Sequence, residues 1–194
     1  MYLPRLALAL LLLAPLASVT RADDKPAAPP PAKKMIENPN YKAWAAFKVG
    51  AMAKYDQDAG VADQKTTLTW KLVELTAEKA VLELTTAASM GTETYESPPM
   101  RSDVPKMLEV PPTPEDPNAP KIETKVGTGS LTTPAGTFSC KTVESTMAMT
   151  GMTSTTKIWS SADVPGGLVK MESNTSLADG TTAKSTMTLI AVTK

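Results

Sequence analysis

The chain has 194 residues, 42% of them hydrophobic and 21% charged, the composition of a globular protein and not of a disordered one. Histidine is absent, cysteine occurs once, and 20 basic residues balance 20 acidic ones. These counts exclude Ser–His–Asp and Cys–His catalysis, histidine-ligated haem and the usual zinc sites, and they leave no basic surplus for nucleic acid.

Residues 1–22 have the layout of a secretory signal. Arg5 gives a positive start, Leu6 to Leu16 form an apolar stretch too short to span a bilayer, and Thr20 and Ala22 place a cleavage site before Asp23. Loss of Arg5 and Arg21 with this segment leaves an exported chain, periplasmic or extracellular, with net charge −2 and no transmembrane segment. Residues 23–37 begin D-D-K-P-A-A-P-P-P-A-K-K and read as a disordered Pro/Ala/Lys tether. One β-domain is then expected over 38–194.

That domain opens with a short helix capped by Asn38 or Asn40, its face formed by Tyr41, Trp44 and Ala45. From Phe47 the period becomes two, and Phe47, Val49, Ala51, Ala53 and Tyr55 mark one face of a strand. Thr66, Leu68, Trp70 and Leu72 mark a second strand, and Ala80, Leu82, Leu84 and Thr86 a third after a turn near Ala77-Glu78. Residues 91–96 form a fourth with Tyr95 as anchor. Eight prolines between 98 and 120 rule out a central strand there, and the segment reads as a strap. Its Val104, Met107, Leu108 and Val110 are expected to cover the open edge or mouth of the sheet without pairing. Five further strands follow at 122–131, 137–149, 153–160, 167–177 and 181–193, joined by turns such as Asp179-Gly180. About nine sequential strands imply a mainly β fold, an antiparallel meander curled into an open or half-closed barrel around the N-terminal helix.

Three segments carry a resemblance: N-P-N-Y-K-A-W-A-A-F-K-V-G at 38–50, L-T-T-P-A-G-T-F-S-C at 131–140 and W-S-S-A-D-V-P-G-G-L-V-K at 159–170. Together they resemble small secreted bacterial proteins of unknown function, of the kind found in planctomycete-type genomes. The latter two also resemble exported domains similar in shape to periplasmic lipoprotein carriers. That resemblance implies an unclosed β-barrel around a helix, with an apolar cavity. Because these are turn motifs, they specify fold better than activity.

The site candidates follow from chemistry. Met147, Met149 and Met152 have the M-x-M-x-x-M spacing of a thioether site for Cu(I). Met152 is expected to begin a new strand after a turn at Thr150-Gly151 and so need not face the other two, which leaves them as core filler or lining and the protein without a metal. Cys140, inside a strand, is expected to be buried and inert. The acid pairs Asp56/Asp58, Glu93/Glu96 and Glu115/Asp116 have no apolar surroundings to raise a pKa, and Ser160-Ser161 lacks a base. No catalytic residue and no cofactor is expected. Trp44, Phe47, Trp70, Phe138, Trp159, Met107 and Leu108 are the candidate lining of a pocket for a lipid or other hydrophobic molecule. The alternative is a structural or interaction protein of the cell envelope with a filled core. In either case a monomer is expected.

Overall fold

The computed structural model describes residues 34–60, 64–91, 93–110 and 121–194. The expected signal segment, its cleavage site, most of the tether and the second half of the strap, with Glu115 and Asp116, lie outside the described residues.

Strand β1 (Lys34–Glu37) leads into helix α1 (Pro39–Ala45), then β2 (Met52–Asp58), β3 (Gln64–Leu75), β4 (Lys79–Met90) and β5 (Glu93–Glu96). The segment continues through β6 (Met100–Pro105) and β7 (Met107–Val110), and the second half runs through β8 (Lys121–Thr133), β9 (Gly136–Met149), β10 (Met152–Ser160), β11 (Leu168–Leu177) and β12 (Thr182–Thr193). Ten strands form one antiparallel sheet in the order β5-β4-β3-β2-β12-β11-β10-β9-β8, with β6 also on β4, while β1 pairs with β7. The fold is mainly β, and its sheet is curled but not closed into a barrel, as the meander pattern predicts.

The helix starts where the sequence places it. Asn38 accepts the Asn40 N–H on its side-chain oxygen at 2.9 Å, and Pro39 takes the first helical position, where its missing N–H costs nothing. Four expectations need correction. The alternation from Phe47 does not make a strand before Met52. Phe47 N–H bonds back to Trp44 O and Ala51 N–H to Lys48 O, so 46–51 form a turn with Val49 exposed. Residues 34–37 are not tether but strand β1. The strap pairs after all: residues 100–105 run antiparallel to 79–84, because Pro98 and Pro99 precede the strand, Pro105 closes it, and 100–104 keep their N–H groups. Tyr95, the expected anchor, is 59% exposed.

The register separates two faces, since residues opposite each other in an antiparallel ladder point the same way. One continuous row runs Tyr95–Ala88–Thr66–Gln57–Met187–Met171–Ile158–Val143–Val126 across nine strands. This face also carries Leu72, Leu82 and the helix packed on them. The opposite face carries the row Lys125–Glu144–Lys157–Glu172–Thr186–Asp58. Alternating charges along it favour this pairing over a slipped one, with Lys157–Glu144 at 3.8 Å as an exposed ion pair.

Two clusters make the core. Tyr41 and Trp44 of α1 pack with Leu72, Ala80 and Leu82. Ala53, Tyr55, Phe138, Cys140, Val164, Val169 and Leu189 form the second, and Trp70 packs against both. The register puts Phe138 and Cys140 on the face opposite Tyr55 and Leu189. Bulges at Trp159/Ser160 and Leu189/Ala191 bend the strands beside this second cluster.

Candidate functional site

The helix-bearing face holds an open groove of about 570 Å³. One wall is α1, through Ala43, Ala46 and Lys42, and the other is the segment 161–167, through Ala162 and Val164. Its floor is the row Thr128–Lys141–Ser160, with Ser139 beside it.

The 161–167 wall is fixed by its own backbone. Ser161 N–H donates to Gly167 O at 2.8 Å, Gly167 N–H donates to Val164 O at 2.8 Å, and the Ser161 hydroxyl accepts the Asp163 N–H. Gly166 N–H reaches Ala43 O at 3.3 Å and ties the wall to the helix. Val164 is fully buried beneath it. The corner Val164-Pro165-Gly166-Gly167 therefore places one side of the groove.

Along each strand the next residue on the same face is two positions on. The row immediately below the floor is therefore Val126–Val143–Ile158–Met171–Met187, which is wholly apolar. Val126 is 64% exposed. The groove thus opens from a floor of hydroxyls and one lysine onto a strip of side chains with no polar atom except thioether sulfur.

The expected lining residues lie elsewhere. Trp44, Trp70, Phe138 and Trp159 pack into or against the two clusters, Phe47 sits in the turn after α1, and Met107 and Leu108 are exposed on β7. None of the seven lines the groove. Large aromatics bury most area where the sheet and helix meet, so they become filler first. Trp159 is instead capped by two cations, with Lys157 Nζ 5.0 Å and Lys170 Nζ 5.6 Å from its ring. What sequence reasoning missed is Lys42, Ala43, Lys141 and Ala162. The alternation of β9 could have flagged Lys141, since it shares a face with Val143.

The methionines nonetheless face the same side. Met149 lies directly opposite Met152 across the tight turn, and Met147 is two residues along, so all three share the helix-bearing face. They lie beyond the hydroxyls of Thr124, Ser145 and Thr156, at the far end of this face, where Met149 is 50% exposed. Among the described residues there is no group of three or more His, Cys, Asp or Glu side chains that could hold a metal ion. Cys140 is buried, its thiol pushed up in pKa by desolvation, with Sγ 3.6 Å from Phe138 O. The Glu93 carboxylate accepts from Tyr95 OH at the surface, and Ser160 Oγ donates to Lys141 O at 3.3 Å.

No family model and no curated protein matches the chain. Among solved structures, it is similar to a predicted exported protein with a YmcC-like fold from Bacteroides fragilis. That likeness has 12% identity and a TM-score of 0.44, and it covers 76% of this chain and 97% of the other. A predicted lipoprotein from Parabacteroides distasonis is similar at 13% identity and a TM-score of 0.42, over 75% and 96% of the two chains. Among the described residues no helix is long and apolar enough to cross a membrane.

Proposed function

We propose that this is an exported, non-enzymatic protein that binds a lipid or another hydrophobic small molecule in the groove beneath α1. The observation that carries the reading is the continuity of that groove with the apolar row Val126 to Met187. Its volume, about 570 Å³, falls within the roughly 300–1,000 Å³ typical of small-molecule sites. Methionine at Met171 and Met187 suits a surface that must fit flexible chains, because an unbranched thioether adapts its rotamers to the guest. The non-enzymatic part rests on the missing histidine and on a single thiol that burial keeps protonated. Export rests on the signal-like segment at 1–22.

The test is organic extraction of the purified protein followed by mass spectrometry, with displacement of a bound neutral dye, N-phenyl-1-naphthylamine, as a second measure. Copurified lipid and saturable dye binding are expected, and Ala162→Trp, which fills the groove from an exposed position, should abolish dye binding without lowering Tm. A clean extract with no dye binding overturns the reading. It would favour the envelope interaction protein, whose support is that four of the seven candidate lining side chains are already packed as core.

A further inference from the structure

We infer that the groove selects an amphiphile with an anionic head, held by Lys141 and Lys42, with its apolar tail lying along the row Val126–Val143–Ile158–Met171–Met187. The inference rests on the hydrophobe-binding reading and adds the chemistry of the head and the direction of the tail.

Three observations carry it. First, Lys141 is the only charged side chain that the register places on the helix-bearing face of β8 to β12. The neighbouring charges, among them Lys125, Glu144, Lys157 and Glu172, all fall on the opposite face. A sheet that sends its other charges outward and keeps one lysine at the floor of a groove has placed a cation where an apolar ligand would end. Second, among the described residues no carboxylate is within ion-pair distance of Lys141, and the only partner of Lys42 is Glu37, an exposed contact at 3.8 Å. An exposed pair of that length is worth little, so both ammonium groups are available to a ligand. Third, the hydroxyls of Thr128 and Ser139 share the floor with Lys141 and can donate to the same head, beside Ser160, whose own proton goes to Lys141 O. Carboxylate or phosphate oxygens accept from ammonium and hydroxyl groups, whereas a quaternary ammonium head would meet two like charges.

The tail direction follows from the ladder. Partners in the row lie one strand apart, so from Val143, beside Lys141, to Met187 the strip crosses three strand spacings, roughly 14 Å, the scale of an extended acyl chain. The strip is one residue wide between the groove floor and the hydroxyl row Thr124–Ser145–Thr156–Ser173–Ser185 below it. A single chain fits such a strip.

Competition against bound N-phenyl-1-naphthylamine tests this with dodecanoate, dodecyl phosphate, dodecanol, dodecyltrimethylammonium and inorganic phosphate. Dodecanoate and dodecyl phosphate are expected to displace the dye at concentrations at least about tenfold below those of dodecanol and the cation, the scale of one charged hydrogen bond. Lys141→Gln should remove most of that preference and leave dodecanol unchanged, Lys42→Gln should remove part of it, and Lys141→Arg should keep it. Both lysines are exposed, and an unchanged Tm shows that each variant is folded. Equal displacement by dodecanoate and dodecanol, or equal weakening of both by Lys141→Gln, overturns the head assignment and leaves hydrophobe binding intact. Displacement by inorganic phosphate as strong as by dodecyl phosphate overturns the amphiphile in favour of a simple anion. Failure of every compound, with no dye bound at the outset, overturns the underlying reading.

Discussion

Replacing Gly166 with alanine tests how the groove wall is locked to the helix. Gly166 has φ +76°, in the left-handed region, and a Cβ there would stand 2.9 Å from Cε2, Cζ2 and Nε1 of Trp44. Trp44 is buried among Tyr41, Leu72, Ala80 and Leu82 and has nowhere to retreat. The left-handed backbone costs about 1–2 kcal/mol for a residue with a Cβ. Overpacking against the fixed indole adds about 1–3 kcal/mol, which gives a loss of about 2–5 kcal/mol. Gly180 is the internal control. It has φ +84°, and a Cβ at that position would meet nothing within 4 Å, so Gly180→Ala should lose only the backbone part, about 1–2 kcal/mol. Urea unfolding followed by tryptophan fluorescence gives both losses from the midpoint shift at a common slope. If the two variants lose the same stability, the Trp44 contact is not rigid, and the argument that this corner positions the groove wall fails.

Other outcomes follow from the core. Tyr55 is buried with its hydroxyl donating to Leu168 O at 3.0 Å, and burial pushes its pKa above the ordinary 10.0. The folded protein therefore keeps a proton that the unfolded chain releases, so stability should hold up to about pH 9 and fall as pH rises past 10, a decline that Tyr55→Phe should flatten. An alkaline unfolding curve identical in wild type and Tyr55→Phe would refute this. Cys140 should resist a thiol reagent at pH 7.5 in the native state and react fully in denaturant; rapid native labelling would contradict its burial. Leu189→Ala, at a fully buried site between Tyr55 and the Val164–Val169 segment, should cost about 2–5 kcal/mol in urea unfolding, whereas Leu177→Ala at a 44% exposed site should cost well under half of that.

Much of the fold was legible because its signals are local. Asn38-Pro39 announces the helix start, Gly136, Gly151 and Gly180 sit at positive φ in the hairpin turns, and period-two alternation marks the long strands. The failures share a different cause. Alternation at Phe47 to Ala51 carries the pattern of a strand, but Phe47 N–H turns back to Trp44 O at the helix end and Ala51 N–H to Lys48 O, and the backbone reaches β3 only at Gly50 and Ala51, opposite Leu72. Proline count condemned 100–105, although only Pro105 lies within that strand and at its last position. The groove was illegible for a stronger reason. Its walls and floor come from α1, the start of β9 and the segment 161–167, about a hundred residues apart, and only the register of four strands reveals that Lys141 and Met187 share a face. Residue size suggested aromatics as lining, whereas size is what draws them into the core.

The place of β12 in the strand order sets the timetable of folding. β12 is the last strand in the sequence, yet it lies between β11 and β2 and is the strand that joins β2–β5 to β8–β11. During synthesis the earlier strands can form two separate hairpin arrays, each with a bare inner edge exposed to wrong partners. They become one sheet only when residues 182–193 are available, a closure that spans more than a hundred residues between Leu189 and Tyr55. A chain built this way stays incompletely folded until its final strand arrives, which is the condition in which a polypeptide can still be threaded through a narrow channel.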